Sequence, residues 1–154
     1  MVIFSYLNPK LVQGWRLVGS TPEKYEVGEV FDEEKNRNVS YLGSVEKDTI
    51  EGFGALSKTI EANDYLGKRL KLSADLKSKE VKGWAGIWIR INGAKQKVLF
   101  FENMQERPVK GTNSWSKYEI IFDVPQESLL ISYGLLISGN GKVWIDDIRF
   151  ESAE

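Results

Sequence analysis

Two runs decide the fold: Arg69-Leu70-Lys71-Leu72-Ser73-Ala74-Asp75-Leu76-Lys77 and, after a short break, Trp84-Ala85-Gly86-Ile87-Trp88-Ile89-Arg90-Ile91-Asn92. In the first, Leu70, Leu72, Ala74 and Leu76 alternate with charged and hydroxyl side chains. In the second, Ala85, Ile87, Ile89 and Ile91 alternate with Trp84, Gly86, Trp88, Arg90 and Asn92. A period of two sends successive side chains to opposite faces of a strand, one face to a core and the other to water. Both runs are therefore strands, and helical periodicity is nearly absent elsewhere.

Working outward, Tyr118, Ile120, Phe122 and Val124 repeat the alternation, opposite Glu119, Ile121 and Asp123. The run Leu129 to Ile137 is almost wholly apolar, as expected of a central strand covered on both sides. Val143 to Phe150 reads as the last strand, and Tyr25–Phe31, Val39–Val45 and Gly52–Ile60 as shorter ones. The segment from Ala62 to Gly67 suits one helical turn ending at the glycine. Turn signals at Asn92-Gly93, Gly111-Thr112-Asn113, Pro125 and Gly139-Asn140-Gly141 separate the runs. About ten short strands at near-regular spacing predict an all-β jelly-roll sandwich. Residues 1–154 have the length of one domain.

Composition narrows the function classes. Lys plus Arg is 21 and Asp plus Glu is 22, a net charge of −1, which argues against a nucleic-acid partner. The densest basic stretch, Gly67 to Lys71, is the wet side of a strand. There is no cysteine and no histidine, so disulfides, thiol catalysis, Ser-His-Asp chemistry and histidine-ligated metals are excluded. Only an oxygen-ligated cation such as Ca²⁺ remains, and no ligand-dense loop offers it a site. No metal and no cofactor is therefore expected. Met1 to Lys10 lacks a basic n-region and a long apolar h-region, and no apolar run has transmembrane length. The expectation is a cytoplasmic protein with no membrane partner.

The candidate site residues are those on the non-core face of a strand. Trp84, Trp88 and Arg90 share the face opposite Ala85 to Ile91, with Gly86 opening space between the indoles. Ser132 and Gly134 give a low floor in one phase of the neighbouring apolar strand, and Trp144 alternates with Val143 and Ile145. Indole faces flanked by polar groups suit the C–H faces and hydroxyl rims of sugars. The competing reading is structural, with rings covering the sheet and Arg90 capping one of them by a cation–π contact. Trp15 and Trp115, each beside a turn, are expected in such core or covering roles. Glu102, Asn103 and Arg107 form a second candidate at the rim of the sheet. Here too a structural role competes, Asn103 satisfying loop backbone and Arg107 pairing with Glu102 or Glu106. A catalytic pair of carboxylates is not evident: Glu102 with Asp146 or Asp147 is the one combination worth testing, and Asp146-Asp147 reads better as a β-bulge. The protein is expected not to be an enzyme.

The ordered set Gly83-Trp84-Ala85-Gly86-Ile87-Trp88-Ile89-Arg90-Ile91, Glu102 to Thr112, Trp115, Asp123-Val124-Pro125 and Val143-Trp144-Ile145-Asp146-Asp147 resembles a small bacterial jelly-roll accessory domain. Its relatives sit beside helix-turn-helix regulators and before S41-type peptidase-like domains. The closing Trp-Ile-Asp-Asp-Ile is also similar to the last strand of galactose-binding-like carbohydrate-binding modules. The resemblance implies a non-catalytic module for a carbohydrate or similar small molecule, or else a sensor acting with a regulatory protein partner. With no DNA-binding helices expected in this sequence, the second role is expected to need a partner or a separate chain.

Overall fold

The structure is a computed structural model and describes residues 14–45 and 47–154. The N-terminal stretch Met1 to Lys10, read above for targeting signals, lies outside them. In chain order the strands are β1 (Arg16–Gly19), β2 (Tyr25–Asp32), β3 (Arg37–Ser44), β4 (Phe53–Glu61), β5 (Arg69–Asn92), β6 (Val98–Glu102), β7 (Val109–Asp123), β8 (Leu130–Ser138) and β9 (Lys142–Ser152). Among the described residues the only helical pieces are single 3-10 turns, one of them at Asn63–Tyr65 ahead of Gly67.

The two alternating runs form one continuous strand, β5, and this sets the architecture. Its first half pairs with β7 on one side and β9 on the other. Its second half pairs with β8 and β6. Between them the chain bends at Glu80, whose φ of 51° lies in the left-handed region. Two sheets result, sharing β5. The front sheet has the order β2-β3-β9-β5-β7, and the rear sheet the order β1-β4-β8-β5-β6. This is a jelly-roll sandwich, as the alternation predicts.

Inward residues from both layers form one core. Leu72, Leu76, Ile120, Phe122 and Val143 of the front sheet meet Ile87, Ile89, Leu135 and Ile137 of the rear. Tyr133 of β8 packs edge-on against Phe150 of β9 at 4.5 Å between centroids, and Phe100 of β6 stacks on Phe122 of β7. Trp15 joins this core beside Tyr133.

Two irregularities shape the surface. The register of β9 against β5 slips between Ser73 and Asp75, and Asp147 takes a φ of 57°, so Asp146-Asp147 is the expected bulge. At the other edge of β5, the ladder passes from β6 at Ile89 to β7 at Ala85, leaving Ile87 between them. Met104 fills that gap, and its sulfur accepts the Ile87 N–H at 3.3 Å.

Candidate functional site

The outer face of the rear sheet carries the first candidate residues, and they are packed. Trp88 is 6% exposed and sits in a small apolar cluster with Ala55 and Leu136, flanked by Val18, Phe53 and Trp84. Its register partner on β8 is Gly134. The indole reaches past that strand, and its Nε1 donates to the Leu56 carbonyl of β4 at 3.2 Å. Ser132 and Gly134 are not an open floor: Ser132 is buried and shares a hydrogen bond with Thr59 at 2.9 Å, and a Cβ at Gly134 would run into the Leu56 carbonyl. The space expected beside Gly86 is closed as well, since a Cβ there would lie 2.9 Å from the Met104 Cβ. Among the described residues Arg90 caps no ring, and it bonds Asn92 at 3.1 Å. Trp84 remains half-buried at the end of the cluster. The expected open platform around Trp88 and Arg90 is therefore corrected: a side chain lying across glycine gains burial that an upright ring lacks.

The rim residues are also tied. Arg107 bonds Glu102 at 2.8 Å and the Glu119 carbonyl at 2.7 Å, clamping β6 to β7. Asn103 Oδ1 accepts the Gln105 N–H at 3.1 Å. Glu102 lies on the rear sheet and Asp146 on the front one, so the carboxylates considered for catalysis stand on different layers.

The front sheet presents a different surface. Across its outer face Gly28, Tyr41, Trp144 and Lys77 stand in one transverse register row on β2, β3, β9 and β5. Trp115 of β7 extends the row, because it shares the outward phase of Lys117 and Glu119 and comes next after the Leu76–Ser116 pair, beside Lys77. Gly28 leaves room for the Tyr41 ring, which would lie within 2.9 Å of a Cβ placed there. Lysine ammonium groups alternate with the rings. Lys142 lies 4.1 Å from the Tyr41 centroid and 5.0 Å from that of Trp144. Lys77 lies 4.7 Å from Trp144 and 5.4 Å from Trp115, and Lys35 4.9 Å from Trp115. Tyr41, Trp115 and Trp144 are all half-buried, so each keeps an exposed part.

The tip of the β2–β3 hairpin folds over one flank of this row. β3 follows β9 only from Ser40 to Gly43 and then departs. Asp32, at the end of β2, accepts from Lys77 Nζ, from the Lys35 N–H at 3.0 Å and from Trp115 Nε1 at 3.0 Å. Lys77 first, with Lys35, holds the Asp32 carboxyl down to about 2. Lys35 bridges Asp75 at 2.5 Å and Asp146 at 3.6 Å, and its own pKa is raised, chiefly by Asp75. Arg37 pairs with Asp146 through both Nε and Nη2. Asp75 and Asp146 face each other across β5 and β9 but are held in ion pairs by Lys35 and Arg37. Among the described residues no cluster of three or more carboxylates is arranged to hold a metal ion, and no helix is long and apolar enough to cross a membrane.

Of the ligand candidates read from the sequence, Trp144 alone belongs to this row. Trp115, assigned above to a core or covering role, stands half-buried on the outer face instead, and Tyr41, Lys77 and Asp32 are not among the candidates. The phase of Arg69–Lys77 does put Lys77 outside, and the alternation of Tyr118, Ile120 and Phe122, carried back to Trp115, puts that ring outside as well.

The fold is a jelly-roll β-sandwich, the fold also of carbohydrate-binding modules. The xylan-binding domain of carbohydrate-binding module family 22 superposes with a TM-score of 0.66 at 11% identity, over 93% of this chain and 89% of that one. The family 22 xylan-binding domain of Paenibacillus barcinonensis Xyn10C gives 0.63 at 14% identity, over 93% and 88%. The enzymatically active domain of bacteriophage CBA120 tailspike protein 4 gives 0.66 at 13% identity, but only 21% of that chain is covered. At these identities the likeness is one of fold. No family model matches the chain. In sequence it is 40% identical over 153 residues to an uncharacterised HTH-type transcriptional regulator of Bacillus subtilis, YbfP, with 97% of this chain aligned. The chain spans about half the length of that curated relative, 51%.

Proposed function

We propose that the chain is a non-catalytic binding module for a carbohydrate or similar polyhydroxylated small molecule, seated on the front face across Tyr41, Trp144 and Trp115. The observation that carries this reading is the register row itself. It aligns three half-exposed aromatic side chains on one curved face and intersperses them with lysine donors. Aromatic surfaces cover the C–H faces of a pyranose, while ammonium groups and Asp75 or Asp146 bond its hydroxyl rim. The ion pairs at the hairpin tip hold the row in place before a ligand arrives, which reduces the ordering cost of binding. The solved structures described as xylan-binding domains support the ligand class through their shared fold.

The experiment is calorimetric titration with xylohexaose and a panel of other oligosaccharides, on the native chain and on Trp144→Ala. Loss of one stacking ring is expected to weaken binding by about fivefold or more. Titrations that release no heat with any member of the panel would remove the carbohydrate reading.

A second reading has its own observation, the 40% identity to half of a helix-turn-helix regulator. In it the same face is the sensing half of a transcription regulator, and ligand binding alters a partner's hold on DNA. A ligand found by titration is then expected to change the operator affinity of the full-length Bacillus protein. An operator affinity unmoved by saturating ligand would leave the first reading alone.

A further inference from the structure

Where β3 departs from β9 the front sheet is breached. Ladder pairing between them ends at Ser40 and Ile145, while β9 goes on through the Asp146-Asp147 bulge against β5. The opening leads to a pocket of about 240 Å³ between the layers. Its floor is Leu56 and Leu135 of the rear sheet, with Trp15 beside them. Its walls are Val27, Val39, Ile145 and Ile148, and Gly28 and Tyr41 of the front row border it. At the mouth stand Asn38 and Ser40, whose side chains make no hydrogen bond among the described residues. Asp146 and Asp147 are the charged groups at the mouth. Both are already neutralised, the first by Arg37 and Lys35 and the second by Arg149 at 2.7 Å.

We propose that this breach is a second ligand site, adjoining the aromatic row at Tyr41 but opening between the layers, for a small neutral amphipathic molecule. An apolar body fills the space over Leu56 and Leu135, and one hydroxyl or amide bonds Asn38 and Ser40. The size is at the small end of natural ligand pockets, and the lining has their usual character, mostly apolar with a few polar groups at one end. Neutrality follows from the paired carboxylates: a cationic head would have to displace Arg37 or Arg149, and an anionic one would face Asp146 and Asp147. The bulge is what builds the mouth. Without the extra residue at Asp147, β9 would run on beside β3 and close it.

The test is a methyl NMR titration of the full chain with benzyl alcohol and with ethylbenzene, which replaces the hydroxyl by a methyl. Benzyl alcohol is expected to give saturable shifts at Leu56, Leu135, Ile145 and Ile148. Ethylbenzene is expected to bind the same methyls about fivefold more weakly, the scale of one neutral hydrogen bond. Ser40→Leu should fill the mouth and abolish both titrations. Asn38→Ala, at an exposed position, should weaken benzyl alcohol several-fold and leave ethylbenzene unchanged. Trp144→Ala should change neither, which keeps this site distinguishable from the front row whatever becomes of the carbohydrate reading. Shifts that fail to saturate, that fall elsewhere, or that persist in Ser40→Leu would overturn the site. Equal affinity for the two probes would overturn the role given to Asn38 and Ser40.

Discussion

The two outer faces of the sandwich use the same residue types to opposite ends. Each has tryptophans in the non-core phase of a strand, a basic side chain nearby and a glycine in the register row. On the rear face the glycine, Gly134, sits directly beside Trp88, so the indole lies down across β8 and its Nε1 bonds the Leu56 carbonyl. On the front face the glycine lies under Tyr41, and Trp144 has Lys77 on one side and Tyr41 on the other. There the neighbours are long cationic side chains that keep the rings apart and half-exposed. Alternation decides which face a ring is on. The neighbouring strand decides whether it lies flat as a small outer core or stands as a surface for a ligand.

The largest expected effect breaks the comparison if it fails. Trp88→Ala should cost about 3–5 kcal/mol, the usual range for deleting a large buried side chain, and lower the melting temperature by roughly ten degrees. Trp144→Ala, at a half-exposed position, should cost about 1 kcal/mol or less. Thermal and urea unfolding of the two variants side by side provide the check. Equal losses would mean that the two faces do not differ in the way described.

This contrast also marks how far the sequence could be read. Arg69–Lys77 and Trp84–Asn92 show their strands and phases plainly, and Asp146-Asp147 shows its bulge because Ile148 and Phe150 resume the core phase. What the pattern hides is the continuity of β5: Lys79, Glu80 and Lys82 interrupt the alternation at the bend where the strand changes sheets. The front site is hidden for a different reason. Asp32 meets Trp115 and Lys77 across 83 and 45 positions of sequence, and only the curl of the hairpin brings them together. Likewise nothing local reveals that Gly134 will receive Trp88, since the two are register partners from distant strands.

The next effect sharpens the front face through pH. The Asp32 carboxyl titrates at about 2 in the folded protein, below its unfolded value of about 3.9. A depressed folded value means that the Asp32 contacts contribute stability above about pH 4 and lose it progressively as the pH falls toward 2. Asp32→Asn lacks this contribution at every pH. The native chain should therefore exceed the variant in urea midpoint at pH 6, and the gap should close between about pH 4 and pH 2. A gap that stays constant across that range would show that the hairpin tip is not held by the charge on Asp32.

The smallest effect concerns Lys142, whose ammonium rests between Tyr41 and Trp144 with no carboxylate in salt-bridge reach among the described residues. Lys35 and Lys77 on the same face both have aspartate partners, so Lys142 isolates the contribution of the rings. Lys142→Met keeps the aliphatic stem and removes only the charge. A cation–π contact at a partly exposed site is worth about 0.5–1 kcal/mol, and the stability read from urea unfolding should fall by that amount. The loss should change little with added salt, because screening acts on separated charges more than on a contact with a ring quadrupole. Arg90 provides the matching control on the rear face: among the described residues it touches no ring, and Arg90→Met should leave the stability within about 0.5 kcal/mol of the native value. If both variants lost the same stability, the lysines would be ordinary surface charges and the front row would owe its arrangement to the aspartates alone. If Lys142→Met lost stability and also weakened the ligand found by titration, the ammonium would be both the spacer between the rings and a donor to what binds them.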